Sequence, residues 1–448
     1  MGLSISCIRL NRFMISARYI LDFLTAGKSF IRSISQIVNT PTLTLLSLSN
    51  IHPKQLSFCL KGFKMNKLSS FIIFIIAFLI LYGSLHLYFY SKLKRAMDIS
   101  CISNLFIIIA LCFLLLSPIF VHILTNTEHV FITNILAHIG FIWMGALFFF
   151  FSIYLLVDVY WVIINISGRI FSPNLLRYIP GDRITFLVTL LIITGILIYG
   201  RFEADNISVE RIELRTAKLP PRVSSLRIVQ ITDIHFSTLN GVKFAQKIGR
   251  IIKGLHPDIL VSTGDLIDRG LVDKEGVVSL FRNIKTTYGK YAITGNHEFI
   301  SGIKKAVEFT EKAGFSMLRN EGITVGGFLN IAGVDDPAAK RYRTASSVSE
   351  DKVLESFSPE YLNIFLKHRP KIENNSLGKF DIQISGHTHD GQIFPFTLIT
   401  SLFYPYQKGL HMVSSDSYLY VSRGTGTWGP PIRFLTFPEI TVIDFQSS

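Results

Sequence analysis

Four apolar stretches fill much of the first half of the chain, at Phe71 to Tyr90, Ile102 to Leu124, Ile132 to Val157 and Ile184 to Tyr199. A helix needs about 20 apolar residues to cross a hydrocarbon core, and each stretch is of that order. Within hydrocarbon the backbone must satisfy its own polar groups, so such runs form helices. Buried helices of a soluble protein fit them poorly, because nothing polar lies opposite the apolar positions to make a solvent face. Asn104, His122, Asn134, His138 and Asp158 are few and scattered in this half. Without paired charges or matching broken helices, they favour an anchor over a transport path.

Charge divides the chain near residue 201. Residues 1 to 200 carry five acids (Asp22, Asp98, Glu128, Asp158 and Asp182) against fifteen Lys and Arg, so most of the net +14 lies beside the apolar runs. The later half has thirty basic and twenty-six acidic residues and no basic stripe interleaved with aromatics, so no nucleic-acid partner is expected. All four cysteines (Cys7, Cys59, Cys101 and Cys112) precede residue 113, so no disulfide framework is implied. Lys92, Lys94 and Arg95 follow the first run, and Arg169, Arg177 and Arg183 lie between the third and fourth. The loop between the second and third has Glu128 and no Lys or Arg. The positive-inside rule then predicts a multi-pass integral membrane protein whose domain after Tyr199 faces the extracytoplasmic side.

Residues 1–64 read as an N-terminal extension that need not fold. Their scattered Arg, Lys, Ser and Thr resemble a targeting peptide in composition, and Met65-Asn-Lys-Leu directly before the first run looks like a more natural start. Met1-Gly2-Leu-Ser-Ile-Ser6 matches a myristoylation pattern short enough to arise by chance. We divide the remainder into a membrane domain at 65–201, a linker and first strand region at 202–225, and a soluble domain at 226–448.

The soluble half has a different rhythm. Leu226-Arg-Ile-Val-Gln-Ile leads into Ile-Thr-Asp233-Ile-His235; Asp258-Ile-Leu-Val-Ser leads into Thr-Gly-Asp265-Leu-Ile-Asp268-Arg269. Tyr288-Gly-Lys-Tyr-Ala-Ile leads into Thr-Gly-Asn296-His297-Glu298, and Phe380-Asp-Ile-Gln-Ile into Ser-Gly-His387-Thr-His389, with Leu-Lys-His368-Arg369-Pro370 between. The runs are strand length and rich in Ile and Val, and helical patterns intervene at Val242 to Gly254, Val277 to Lys285 and Ile303 to Ala313. This alternation predicts an α/β sandwich with candidate ligands on loops at strand ends. Gly264, Gly295 and Gly386 just before those ligands permit tight turns. Asp, His and Asn are hard to borderline oxygen and nitrogen donors that suit Mn, Fe, Zn or Mg. His256 and His411 belong to no such segment and read as ordinary loop or packing residues.

Taken together and in this order, the segments resemble the calcineurin-like metallophosphoesterase superfamily, whose signature is D-x-H, G-D-x-x-D, G-N-H-[DE], a later His and G-H-x-H. The resemblance covers roughly residues 205 to 445. Gly391-Gln392-Ile-Phe-Pro395, Gly333-Val-Asp335-Asp336 and Val421-Ser-Arg-Gly-Thr-Gly-Thr-Trp428-Gly-Pro-Pro-Ile-Arg433 are further similar to its YkuE-like, membrane-associated branch. One departure is Asp390, where that branch usually has Gly.

The resemblance implies a four-layer β-sandwich flanked by helices, here preceded by an all-α transmembrane segment of about four helices. It also implies two divalent metal ions. Asp233, His235 and His389 would hold one, Asn296, His368 and His387 the other, and Asp265 would bridge them. Metals about 3.5 to 4 Å apart can share a hydroxide that attacks phosphorus in line. His297 would protonate the leaving oxygen with Asp268 orienting it, and Arg269 would hold a phosphate oxygen. Trp428 would shape a loop near the site. The expected activity is a membrane-anchored phosphohydrolase acting on phosphodiester or pyrophosphate bonds, with lipid-linked esters among its candidate substrates. A catalytically inactive metal-binding interaction module on a membrane anchor is the competing class; it would be expected to have lost ligands, and none is missing.

Overall fold

The computed structural model describes residues 67–447, apart from 126, 128, 272–273, 343 and 345–347. The readings placed on residues 1–64, on Met65 and on Glu128 lie outside the described residues. Among the described residues, four helices are long and apolar enough to cross a membrane: α1 (Lys67–Ala96), α2 (Cys101–Leu124), α3 (Val130–Ile170) and α4 (Asp182–Asp205). Each outruns its apolar stretch, because polar residues at its end continue the same backbone hydrogen bonding. The chain falls into two compact units, one of residues up to Asp98 with Phe150–Thr189, the other of Ile99–Phe149 with Leu190 onward.

In the first unit the rings of Phe89, Phe150 and Phe186 pack on one another. The same unit corrects one expectation, since a charge pair is present there after all. Lys92 lies inside α1 and its Nζ stands 2.5 Å from Asp158 Oδ1, while the Tyr88 hydroxyl donates to Asp158 Oδ2 at 2.6 Å. The two residues are 66 positions apart, and only helix packing could bring them together. Lys92 is therefore a partner of Asp158 rather than a loop charge, and the orientation argument rests on the other basic residues.

The second unit holds the α/β domain. Among the described residues, twelve strands form two six-stranded sheets. The first has the order β1-β12-β2-β3-β4-β5, with β1 at Ser208–Thr216, β2 at Ser225–Ile231, β3 at Ile259–Ser262, β4 at Lys290–Ala292, β5 at Ser316–Met317 and β12 at Glu439–Ser447. The second runs β10-β11-β9-β8-β7-β6, with β6 at Glu321–Val325, β7 at Leu329–Gly333, β8 at Leu362–Leu366, β9 at Ile382–Ser385, β10 at Gly409–Ser414 and β11 at Ser417–Val421. Helices α5 (Val242–Leu255), α6 (Lys274–Arg282), α7 (Asn296–Ser301) and α8 (Ile303–Lys312) follow β2, β3 and β4. The short α9 (Ala338–Arg341) and α10 (Glu350–Glu355) follow β7, and α11 (Phe396–Ser401) follows β9.

Strand alternation builds the layers. Ile228, Ile259, Val261, Ile364 and Ile384 point between the sheets, while Val229 and Leu260 turn the other way to meet Ala245, Ile248 and Phe281 of the helices. Val353 and Leu354 of α10 cover Ala332 and Phe365 on the far face of the second sheet. The result is the expected helix–sheet–sheet–helix order. The central strands are parallel, so their C-terminal ends lie at one edge of the sandwich. That edge carries the site.

Candidate metal centre

Asp233 and His235 follow β2, Asp265 follows β3, Asn296 follows β4, His368 follows β8, and His387 and His389 follow β9. The structure brings six of the seven candidate ligands together, and Asn296 lies between Gly295 and His297, both of which adjoin Asp265. Five of them, Asp233, His235, Asp265, His387 and His389, have φ between 50° and 73°. That left-handed conformation is disfavoured for residues with a Cβ and accumulates at functional sites, where surrounding structure enforces it. The preceding glycines are needed for close approach: a Cβ at Gly295 would stand 2.1 Å from Asp265 Oδ1, and one at Gly386 would stand 2.2 Å from Asp233 Oδ2.

The donor atoms converge in two groups. His235 Nε2 is 3.1 Å from His389 Nε2, which is 3.5 Å from Asp233 Oδ1. His368 Nε2 is 3.1 Å from His387 Nδ1 and 3.3 Å from Asp265 Oδ2. The same Asp265 oxygen is 3.9 Å from His235 Nε2, so it faces both groups. Asp233 Oδ1 and Asn296 Oδ1 are buried and make no hydrogen bond among the described residues. Buried acceptors left unpaired are costly. Cations held among these oxygen and nitrogen donors would satisfy both oxygens, so the residues fit a metal centre.

Outer partners fix the orientation of the candidate ligands, as they do around metals generally. His368 Nδ1 lies 2.8 Å from the Thr263 carbonyl, leaving Nε2 inward. His387 presents Nδ1 inward and places Nε2 2.8 Å from the Tyr404 hydroxyl. His387 N–H and the Thr232 hydroxyl both donate to Asp233 Oδ2. Asp268 supports two rings at once: its Oδ2 is 3.1 Å from His235 Nδ1 and its Oδ1 is 2.5 Å from His297 Nδ1. The sequence had paired Asp268 with His297 alone. Glu298, which the motif requires only as an acid, accepts from the backbone N–H groups of Asp265, Leu266 and Gly295. It thereby clamps the loop of Asp265 to the start of α7.

Electrostatics follow the geometry. Burial disfavours a charged His297, but the Asp265 and Asp268 carboxylates outweigh it and hold the imidazole at about 9. His368 is likewise lowered by burial and raised more by Asp265, to about 10. Burial and then the neighbouring His368 push His387 well below its ordinary value, and burial with His235 does the same to His389. Burial would raise Asp268, yet His235 and His297 keep it below the usual carboxylate range.

Other sequence features also find their places. Arg269 donates from Nε and Nη2 to the Ile300 carbonyl. Asp390 has φ 50°, which explains the glycine preference there, and its carboxylate pairs with Lys408 Nζ at 2.7 Å. Trp428 lies edge-on to His297 at 5.6 Å between ring centroids, and Gln392 ties its loop by accepting from Trp428 N–H and donating to the Trp428 and Pro430 carbonyls. Arg433 is fully buried, donates to the Gly426 carbonyl at 2.7 Å and reaches 3.4 Å from His389 Nδ1. Asp336 pairs with Arg369, the residue after His368, at 2.6 Å. His256 caps the C-terminus of α5, and His411 sits by the Lys408 carbonyl, both apart from the metal centre.

Fold and centre together define a metal-dependent phosphoesterase, a hydrolase. Residues 226–391 match the family model for calcineurin-like phosphoesterases. An uncharacterized metallophosphoesterase of Aquifex aeolicus is 32% identical over 250 residues, which span 55% of this chain and 95% of that protein. The uncharacterized metallophosphoesterase YkuE of Bacillus subtilis is 30% identical over 264 residues, 56% of this chain and 90% of its own. A Bos taurus transmembrane protein with metallophosphoesterase domain is 31% identical over 276 residues, 58% of this chain and 61% of its own. The chain belongs to the calcineurin-like metallophosphoesterase family.

Proposed function

We propose that the protein is a multi-pass membrane phosphohydrolase that holds two divalent cations and cleaves phosphodiester or pyrophosphate bonds. The observation that carries this reading is Asp265 Oδ2 facing both donor groups, 3.3 Å from His368 Nε2 and 3.9 Å from His235 Nε2. Asp233, His235 and His389 would hold one cation, Asn296, His368 and His387 the second, and Asp265 would serve both. Cations bound there supply Lewis-acid polarisation of phosphoryl oxygens and activation of water.

The chain's own groups handle the proton and the substrate. His297, held through Nδ1 by Asp268, is the general acid. As water adds to phosphorus and the bond to the leaving oxygen breaks, the His297 proton passes to that oxygen. Arg269, braced on the Ile300 carbonyl, is the proposed contact to a phosphate oxygen. The four spanning helices and the relatives named as transmembrane proteins support a membrane setting, and with it a lipid-linked phosphate ester as substrate. Lys94, Arg95, Arg169, Arg177 and Arg183 support an extracytoplasmic catalytic domain.

The test uses the full chain in detergent with Mn added, assayed on bis(p-nitrophenyl) phosphate and p-nitrophenyl phosphate beside Asp265→Asn and His297→Ala. The unmodified chain should turn over the diester faster than the monoester, and both variants should lose at least about a hundredfold in kcat. Inactivity on both esters, or an Asp265→Asn variant with full activity, overturns the assignment. Metal bound without turnover would mark a binding module instead.

A further inference from the structure

The segment Ile393–Phe403, Ile-Phe-Pro-Phe-Thr-Leu-Ile-Thr-Ser-Leu-Phe, has no charged residue and is assigned no role by the metal centre. It contains α11, and that helix is amphipathic in the wrong sense for water. Its threonines face the protein: Thr397 backbone abuts Gly391, and the Thr400 hydroxyl bonds the Gln407 side chain at 2.8 Å. Apart from the buried Ile393, the large apolar side chains of the whole segment face outward. Phe394, Phe396, Leu398, Ile399, Leu402 and Phe403 are all exposed, Leu402 at 80% and Phe403 at 69%. Trp428, 57% exposed, adds another apolar surface beside His297. Scattered apolar residues on a surface need no explanation, but a contiguous set of this kind marks an interaction surface.

Two observations identify what covers it. The patch is continuous with helices built for a bilayer: Phe396 packs edge-on against Phe148 of α3 at 6.1 Å between centroids. Nearby, Phe434 packs against Phe149 of α3 and Tyr199 of α4. The patch also ends at the metal centre, since Tyr404, the next residue, meets His387 Nε2 at 2.8 Å. Between Asp390 and Asp416 there is no acidic residue to repel a headgroup phosphate, and Lys408, the one Lys or Arg there, is paired with Asp390.

We propose that Ile393–Phe403 is an interfacial segment that seats in the headgroup–acyl boundary of the bilayer and admits the phosphate of a bilayer lipid to the metal centre beside Tyr404. The docking stands on its own; the delivery of substrate rests on the phosphohydrolase reading above. Tail length thus becomes a specificity determinant, because a lipid whose acyl chains stay in the leaflet reaches the site without leaving it.

The test has two arms, both on the full chain in vesicles of phosphatidylcholine and phosphatidylglycerol. A nitroxide at Leu402→Cys, with Cys7, Cys59, Cys101 and Cys112 replaced by Ser, should be accessible to oxygen and shielded from a water-soluble nickel relaxant. A label at Lys352→Cys should show the reverse. A label at position 402 open to nickel overturns the docking. In the second arm, turnover of hexadecyl p-nitrophenyl phosphate and methyl p-nitrophenyl phosphate is compared in the Leu402→Asp, Phe403→Asp double variant. Loss on the order of tenfold for the long-tailed diester with the methyl diester within about twofold supports delivery; equal effects on both overturn it. If the unmodified chain hydrolyses neither diester, the phosphohydrolase reading fails, and the nitroxide arm still decides the docking.

Discussion

At the residue scale, Asp268 is the most exposed point of the catalytic account, because one carboxylate supports two imidazoles. If it only oriented His297, replacing it would impair proton transfer and leave metal binding alone. Its second contact, to His235 Nδ1, changes that expectation. Asp268→Asn should lower kcat on an aryl diester by roughly a hundredfold and also weaken metal affinity by about 10- to 100-fold, read by titrating activity against Mn. Unchanged metal affinity would remove the His235 contact from the account. Glu298 makes a different prediction, since it accepts three backbone N–H groups around the Asp265 turn. Glu298→Ala leaves those buried donors unpaired, each at a cost of about 1–3 kcal/mol. The variant should melt several degrees lower in the metal-free protein, and an unchanged melting temperature would contradict the clamp.

The same residues show how much of the site was legible beforehand. Every candidate ligand could be read in the sequence, because each sits within a residue or two of a glycine or an apolar strand and the chemistry of its side chain is unambiguous. The supporting groups were not legible as such. Tyr404 meets His387 across 17 positions and Arg433 meets His389 across 44, and neither spacing has a local pattern. Arg433 was visible as part of a motif but without a role; its burial against carbonyls supplies one. Lys92 and Asp158 illustrate the same limit within the membrane half, where a charge near the end of an apolar run looked like a loop residue until helix packing supplied its partner.

At the element scale, strand ends determine where the candidate ligands go, and glycine determines whether they can get there. Gly386→Ala would place a methyl group 2.2 Å from Asp233 Oδ2 and 2.3 Å from Thr232 Oγ1, and that Asp233 oxygen also accepts from His387 N–H. We expect this single methyl to reduce activity at least about tenfold with little change in the far-ultraviolet circular dichroism, because the sheets do not depend on that turn. Activity near that of the unmodified chain would mean that the loop has more freedom than its geometry indicates. The strand that sequence patterning did not separate from its linker is β1. It is an edge strand, Ser-Val-Glu-Arg-Ile-Glu-Leu-Arg-Thr, with acids and bases on its outer face, and such charges keep edges from pairing with other chains. The polarity that protects the edge also disguises it as linker. The helices were easier, since Val242–Leu255 and Ile303–Lys312 follow the predicted spans closely and only their ends shift by a residue.

At the scale of the whole molecule, part of the helical half belongs to the same compact unit as the α/β domain. Ile99–Phe149 and Leu190–Asp205 share a compact unit with the strands, and Glu203 of α4 accepts from the Leu435 and Thr436 backbone N–H groups at the rim of the domain. A catalytic segment cut free after α4 would therefore lose packing as well as its anchor, and the full chain is the proper object for kinetics. Sidedness is a separate claim, and the loop charges alone carry it. A phosphatase reporter fused after Ser448 should be active and a cytoplasmic fluorescent reporter dark; the opposite result would place the metal centre in the cytoplasm.

The central claim is that Asp265 joins two cation sites, and metal stoichiometry tests it most directly. Full-length protein loaded with Mn and freed of excess metal, then counted by mass spectrometry of the element, should carry close to two equivalents per chain. Asp265→Asn should carry about one or fewer. A single equivalent in the unmodified protein, or two retained in the variant, would contradict the account.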